Sequence, residues 1–179
     1  MGVSASGAAD NFSLIIGNIL VGNPKHFAGI EMSIIGDKYR FTSDAYIALT
    51  GSEFEAELDK KPITFWQGLN IKKSQVLDIG STKAGARCYL SVAGGINVED
   101  VMGAKTTHLT SGIGGVHGRI LRRLDVLDFG TIDDSIRPLE KLSNSITTDT
   151  SIIKVTKARQ WSWFNNDQKN KLFRGQYKV

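Results

Sequence analysis

The run G-V-S-A-S-G-A-A-D-N-F-S-L-I-I-G-N-I-L-V-G-N, residues 2–23, decides how the rest of the chain is read. It opens on small residues with the character of a loop. Asp10 then stands at a helix-cap position, where its carboxylate accepts N–H groups left unpaired in the first turn. Behind it, Phe12, Ile15, Ile16, Ile19 and Leu20 recur at helical spacing and predict one apolar face. Gly22-Asn23-Pro24 closes the helix. Between this helix and the C-terminal tail the sequence reads as strand, and a lone helix beside a β chain plugs or buttresses a barrel.

The strand signals follow in order. In residues 29–36, Ile30, Met32 and Ile34 share one face, and Glu31 and Ser33 the other. Residues 38–41 and 45–51 predict two further strands across the polar Thr42-Ser43-Asp44. Phe54, Ala56 and Leu58 alternate with Glu53, Glu55 and Glu57, which places the acids toward water. Asp59-Lys60-Lys61-Pro62 is turn chemistry, with a return strand expected over 63–66 and Trp66 in the core or at the rim. Residues 69–71, 75–80 and 85–96 continue the series. Turn signals about every ten residues predict an all-β sandwich or barrel. Residues 98–103 read as one helical turn. Gly94-Gly95 marks a sharp exit or a close approach. Gly112, Gly114, Gly115 and Gly118 make a loop able to present backbone N–H groups to an anion.

Composition narrows the class. With 41% apolar and 22% charged residues, the chain has the balance of a soluble globular domain. At 179 residues it is long enough to bury roughly 70% of its unfolded surface. No apolar run is long enough for a membrane span, and no signal segment opens the chain. The single Cys88 excludes an intramolecular disulfide framework, fits a reducing cytoplasm and is expected to be a buried small hydrophobe. The net charge of +4 is concentrated in the last third, where Trp161, Trp163, Phe164 and Phe173 lie among the cations. No nucleic-acid-binding module accompanies that patch, and nucleic acid is not expected as a partner. His26, His108 and His117 lack metal-ligand spacing, no metal site is expected, and no nucleophile elbow is present.

Three signatures carry a family resemblance. Gly2-Val3, Ser6-Gly7-Ala8 and Asp10 match an opening of the form G-V-P-x-S-G-A-M-D, with Ser4 and Ala9 departing from it, and the later Asn18 and Val21-Gly22-Asn23 belong to the same signature. C-Y-L-S-V-A-G-G-I, residues 88–96, matches A-Y-L-A-V-A-G-G-I. Residues 103–119 match G-S-R-S-T-x-L-x-x-x-x-G-G-x-x-G-R, with Lys105 where an Arg is usual. A bidentate anion contact is lost at that position and a point charge kept. Arg122-Arg123-Leu124-Asp125 follows R-x-G-D except at Leu124. Together these segments resemble the carboxyltransferase-like family of allophanate hydrolase subunit 2, the C-type subunit of bacterial 5-oxoprolinase and the matching domain of urea carboxylase.

The resemblance implies a mainly β fold: a cyclophilin-like β-barrel with one helix near its N-terminus over residues 1–130, a linker over 131–150, and the beginning of a second barrel over 151–179. By that comparison the chain looks truncated at both ends. It further implies a subunit of an ATP-dependent amide hydrolase, foremost a 5-oxoprolinase converting 5-oxoproline to glutamate. The alternatives are a biotin-dependent carboxyltransferase acting on urea or a related amide, a regulatory partner of a sister subunit, and an inactive fragment. The implied partners are a small amide substrate and a sister subunit, of the kind of allophanate hydrolase subunit 1 or the B-type subunit of 5-oxoprolinase. Asp10, Glu31 and Ser6 are the candidate catalytic residues. Asn18, Asn23, Arg87, Lys105, Gly114, Gly115, Gly118 and Arg119 are the candidates for holding substrate or phosphate. Arg87 on its own reads either as a surface residue or, turned inward, as the partner of a carboxylate or an anion.

Overall fold

The computed structural model describes residues 6–131, 138, 139, 141, 142 and 155–176. The chain divides into two compact units, Met1–Ser145 and Ile146–Val179. The first holds helix α1 (Asn11–Leu20) and strands β1 (Ile30–Ser33), β2 (Lys38–Arg40), β3 (Ala45–Gly51), β4 (Phe54–Leu58), β5 (Lys61–Pro62), β6 (Gly68–Ile71), β7 (Val76–Thr82) and β8 (Arg87–Val92). These form two four-stranded antiparallel sheets, ordered β1-β8-β3-β6 and β2-β7-β4-β5. The mainly β expectation holds.

The sheets share one core, in which Ile30, Ile47, Leu49 and Leu90 of the first meet Phe54, Leu77 and Ile79 of the second. Two seams join them. On one side the chain leaves β1 through Ile34 and Ile35, and Ile35 bridges to Ser81. On the other, Ile63 N–H donates to the Ala56 carbonyl and Trp66 N–H to the Leu49 carbonyl, one on each sheet. The expected return strand over 63–66 is therefore an irregular strip that stitches the sheets together, with Trp66 held at φ 63°.

The acidic alternation of β4 appears as expected, with Phe54 and Ala56 buried and Glu55 and Glu57 exposed. Cys88 is buried, and burial pushes its thiol up to about 12. Three local expectations are corrected. Ile34 does not extend the buried face of β1: its φ of 67° turns it out of the strand and leaves it half exposed. Residues 98–103 form no helical turn but a tight turn in which Val101 bridges to Ala104, with Met102 and Gly103 both at positive φ.

The third correction concerns α1. Its buried residues are Ser13, Gly17, Asn18 and Leu20, while Phe12 is 56% exposed. The small residues go inward because α1 lies directly on the outer surface of the first sheet, where β3 and β8 present Thr50 and Ser91. A Cβ on Gly17 would stand 2.6 Å from Ser91 Oγ and 2.9 Å from Thr50 Oγ1. Only glycine permits that approach.

The second unit contains a 3-10 turn, Arg159–Trp163, and helix α2 (Asn166–Arg174). Asn165 and Gln168 close a reciprocal capping box at its start. Lys157 and Lys169 both stack on the Trp161 ring, at 5.6 and 5.5 Å. The strand expected to open a second barrel falls mostly on residues outside those described.

Candidate functional site

Three outward-facing residues make a row across the first sheet: Glu31 on β1 pairs with Tyr89 on β8, and Tyr89 with Thr50 on β3. Each holds a successive point of the N-terminal segment. Ala9 N–H donates to Glu31 Oε2 at 2.9 Å, and Asp10 N–H to Tyr89 Oη at 2.7 Å. Thr50 Oγ1 donates to the Ser13 carbonyl at 2.8 Å. The Tyr89 hydroxyl in turn donates to Glu31 Oε2 at 2.9 Å. Burial, with Glu31 adding to it, pushes the Tyr89 phenol up to about 12, so the hydroxyl keeps its proton. Arg87 Nε approaches Glu31 Oε1 at 3.3 Å, and its guanidinium also reaches Ser33 Oγ. Arg87 therefore pairs with a carboxylate.

Asp10 caps α1 as its position predicted. Its carboxylate accepts from Ser13 N–H at 3.1 Å and from the Ser13 hydroxyl. Both expected catalytic carboxylates are thus occupied in holding the loop between residue 7 and the helix.

Asn18 and Asn23 lie elsewhere and are buried. Asn23 Nδ2 donates to Asn18 Oδ1 and to the Val92 carbonyl, while its Oδ1 accepts from Gly94 N–H. Asn18 Nδ2 donates to the Phe27 carbonyl. The pair locks the end of α1 to the exit of β8, and burial leaves neither side chain a surface to offer a ligand. At that exit Gly94 and Gly95 are both at positive φ, and the close approach there is to protein. A Cβ on Gly94 would meet the Gly130 carbonyl at 2.1 Å, and one on Gly95 the Phe27 ring at 2.5 Å. Lys105 Nζ sits over the other side of that neighbourhood, 5.2 Å from the Phe27 centroid.

The glycine loop lines a cavity of about 460 Å³ together with Asn97, Val98, Glu99, Val101, Val126, Leu127 and Asp128. Gly114, Gly115, His117 and Gly118 are all at positive φ. Gly114 and Gly115 press on Thr106 and Thr107, where a Cβ would fall 2.3 Å from the Thr106 carbonyl and 1.8 Å from Thr107 Oγ1. The N–H groups of Gly114, Gly115, Val116 and His117 donate no hydrogen bond among the described residues. Successive unpaired N–H groups in such a conformation attract an electron-rich oxygen. Glu99 and Asp128, both exposed, also line the cavity, and a carboxylate attracts a hydrogen-bond donor and opposes a phosphate.

Arg119 turns away from this cavity and grips Asp125 with two hydrogen bonds of 2.7 and 2.9 Å. Asp125 also accepts from Arg122 N–H, and these contacts, led by Arg119, hold its carboxyl far below the usual range. The expected residues thus fall into four groups: the Asp10–Glu31–Arg87 cluster, the buried asparagines, the cavity glycines, and the Arg119 pair. Lys105 on the Phe27 ring and Ser6 stand outside these groups, the Ser6 hydroxyl lying 3.5 Å from Oγ1 of Thr106, whose carbonyl Gly114 approaches closely. Sequence reasoning missed Tyr89, Glu99 and Asp128. Tyr89 lies inside one of the signatures, but nothing local reveals that its hydroxyl faces Asp10.

The family described as "Carboxyltransferase domain, subdomain A and B" matches residues 1–179. The C-type subunit of 5-oxoprolinase from Escherichia coli (strain K12) is 42% identical over 130 residues, covering 72% of this chain and 42% of that protein. A putative urea carboxylase of Emericella nidulans is 38% identical over 128 residues, 70% of this chain and 10% of that protein. The chain thus spans less than half the length of these curated relatives. Among solved structures, the Kluyveromyces lactis urea carboxylase superposes with a TM-score of 0.69 at 29% identity, over 76% of this chain and 12% of that one. The chain belongs to the carboxyltransferase domain family, subdomains A and B.

Proposed function

We propose that this chain serves as a subunit of a cytoplasmic ATP-dependent amide hydrolase and that the cavity between Glu99, Asp128 and the 112–118 loop takes the amide, with 5-oxoproline as the foremost substrate. The observation that carries it is a cavity of about 460 Å³ whose lining combines the unpaired N–H groups of Gly114–His117 with two carboxylate residues. The lactam carbonyl oxygen and the substrate's own carboxylate suit the N–H groups of Gly114–His117, and the lactam N–H suits one of the lining carboxylates. Fixed donors aimed at a carbonyl oxygen also stabilise the charge that develops there when the carbon is attacked. Asp10, Glu31 and Arg87 hold the loop in front of α1, and Lys105 keeps a point charge next to Thr106 in the chain.

ATP supplies the activation of an otherwise poor electrophile. The two carboxylates of this cavity do not suit a triphosphate, and nucleotide binding is assigned to a sister subunit, the B-type partner of 5-oxoprolinase. Relatives named as C-type subunits of 5-oxoprolinase support this reading, since a C-type subunit implies others beside it.

A second reading, biotin-dependent carboxyl transfer to urea, is supported by the relatives named as urea carboxylase and urea amidolyase. Urea offers the same pairing of one carbonyl and flanking N–H groups. The test is co-purification with the sister-type subunits, followed by phosphate release from ATP with 5-oxoproline or urea. Phosphate release that depends on 5-oxoproline is expected; its absence from the assembled complex overturns the first reading.

A further inference from the structure

We infer that Tyr89 is a positioning residue: its hydroxyl latches the backbone of the loop preceding α1 and so fixes where Ser6 stands against Thr106, the residue that Gly114 of the cavity lining approaches. The inference rests on the assignment of that cavity as the substrate site, but its structural core is independent of any substrate.

The latch follows from strand register. Glu31, Tyr89 and Thr50 are direct cross-strand neighbours, so their side chains rise together from the outer surface of the first sheet. Glu31 and Tyr89 capture two consecutive amides, those of Ala9 and Asp10. Thr50 instead captures a carbonyl inside the helix, at Ser13. Tyr89 is the hinge of the set, since its one hydroxyl accepts from Asp10 N–H and donates to Glu31, which accepts from Ala9 N–H. Its ring is 1% exposed, so the hydroxyl projects from a fixed base. Replacing the hydroxyl by hydrogen leaves the Asp10 amide without its acceptor and Glu31 without one donor.

Ser6 is four residues upstream of Asp10, with Gly7, whose surroundings are open, between them. Only Gly7 and Ala8 separate Ser6 from the captured Ala9–Asp10 dipeptide, so the position of Ser6 follows the capture. The Ser6 hydroxyl, 3.5 Å from Thr106 Oγ1, is the far end of that lever.

The experiment uses the full chain and two readouts that need no substrate. Amide hydrogen exchange at Ala9 and Asp10 is measured in wild type, Tyr89→Phe and Thr50→Val. Tyr89→Phe is expected to raise exchange at both amides at least about tenfold, whereas Thr50→Val leaves them within about twofold because its bond lies beyond the loop. In a Ser6→Cys, Thr106→Cys background, the rate of disulfide closure reads the position of residue 6, and the buried Cys88 stays out of the exchange. Adding Tyr89→Phe is expected to slow closure at least about fivefold. Unchanged exchange and unchanged closure in a Tyr89→Phe protein that retains its cooperative thermal transition would overturn the inference. In the assembled complex the same variant is expected to raise KM for the amide more than it lowers kcat, and an unaltered KM ends the link to the cavity. Failure of the complex to turn over 5-oxoproline at all counts against the cavity assignment alone, since exchange and closure report the latch without it.

Discussion

Gly17 of α1 lies against Ser91 of β8 so closely that an added Cβ would stand 2.6 Å from the serine hydroxyl. The contact sets the height of the helix above the sheet, and through Asp10 the height of the loop in front of it. Alanine normally stabilises a helix interior over glycine by about 1 kcal/mol. Here overpacking, costing about 1–3 kcal/mol, outweighs that preference. Gly17→Ala is expected to lower the stability by about 1–2 kcal/mol, read by chemical denaturation. Ser91→Ala in the same chain is expected to restore part of the loss, because the obstructing atom is the Ser91 hydroxyl. A Gly17→Ala protein at least as stable as wild type would mean the helix stands further off than described.

Leu124 supplies the opposite case, a side chain where glycine belongs. Its φ is 74° and it is 88% exposed, so it carries left-handed strain without packing in return. An L-residue there costs roughly 1–2 kcal/mol, partly offset by the greater freedom glycine has when unfolded. Leu124→Gly is expected to stabilise by about 0.5–1 kcal/mol. Thermal denaturation decides it, and a fall in midpoint would show that the leucine has a partner.

That strain was legible in the sequence, because R-R-L-D departs from R-x-G-D at one position. The β architecture was legible too, from the alternation at 54–58 and the spacing of turn signals. The face of α1 was not. Apolar periodicity ranks Phe12, Ile15 and Ile19 as buried, but close approach to Thr50 and Ser91 selects Ser13 and Gly17, and hydrophobicity carries no record of distance. The site was legible as a set of residues and not as an arrangement. Asp10, Glu31 and the glycines were all marked by signatures. That Tyr89 joins the first two, and that Arg119 is committed to Asp125, depends on contacts made only after folding.

The Arg119–Asp125 pair predicts an acid response. Its hydrogen bonds to Arg119 lower the Asp125 pKa in the folded state, so the contribution to stability is full above the ordinary carboxyl range. As pH falls below that range the unfolded chain takes up a proton first, and the contribution drains away toward the lowered folded value. Urea midpoints compared between pH 6 and pH 3 are expected to show wild type more stable than Asp125→Asn at the upper end, with the gap narrowed but still open at the lower. A constant gap across that window would remove the pair from the pH dependence.

The cavity makes the sharpest demand, because its two kinds of lining group ask for different chemistry. If the amide N–H is held by Glu99 or Asp128, replacing each in turn by its amide, Glu99→Gln and Asp128→Asn, converts a charged acceptor into a neutral one. Charge-assisted bonds are worth about 1.5–3 kcal/mol, so the variant at the contacting residue is expected to weaken 5-oxoproline binding about tenfold or more. The other variant changes it little. A phosphate in the same place has no lactam N–H to lose and gains only the relief of repulsion, so its binding would tighten in both variants. Gly115→Ala tests the glycine loop: its φ of 54° and a Cβ placed 1.8 Å from Thr107 Oγ1 force the loop to move. Binding is expected to fall with the fold retained. Isothermal titration of 5-oxoproline and inorganic phosphate against the three variants in the assembled complex separates the cases. Tighter phosphate binding to Glu99→Gln or Asp128→Asn, with 5-oxoproline unaffected by both, would make the cavity an anion site and move the lactam elsewhere.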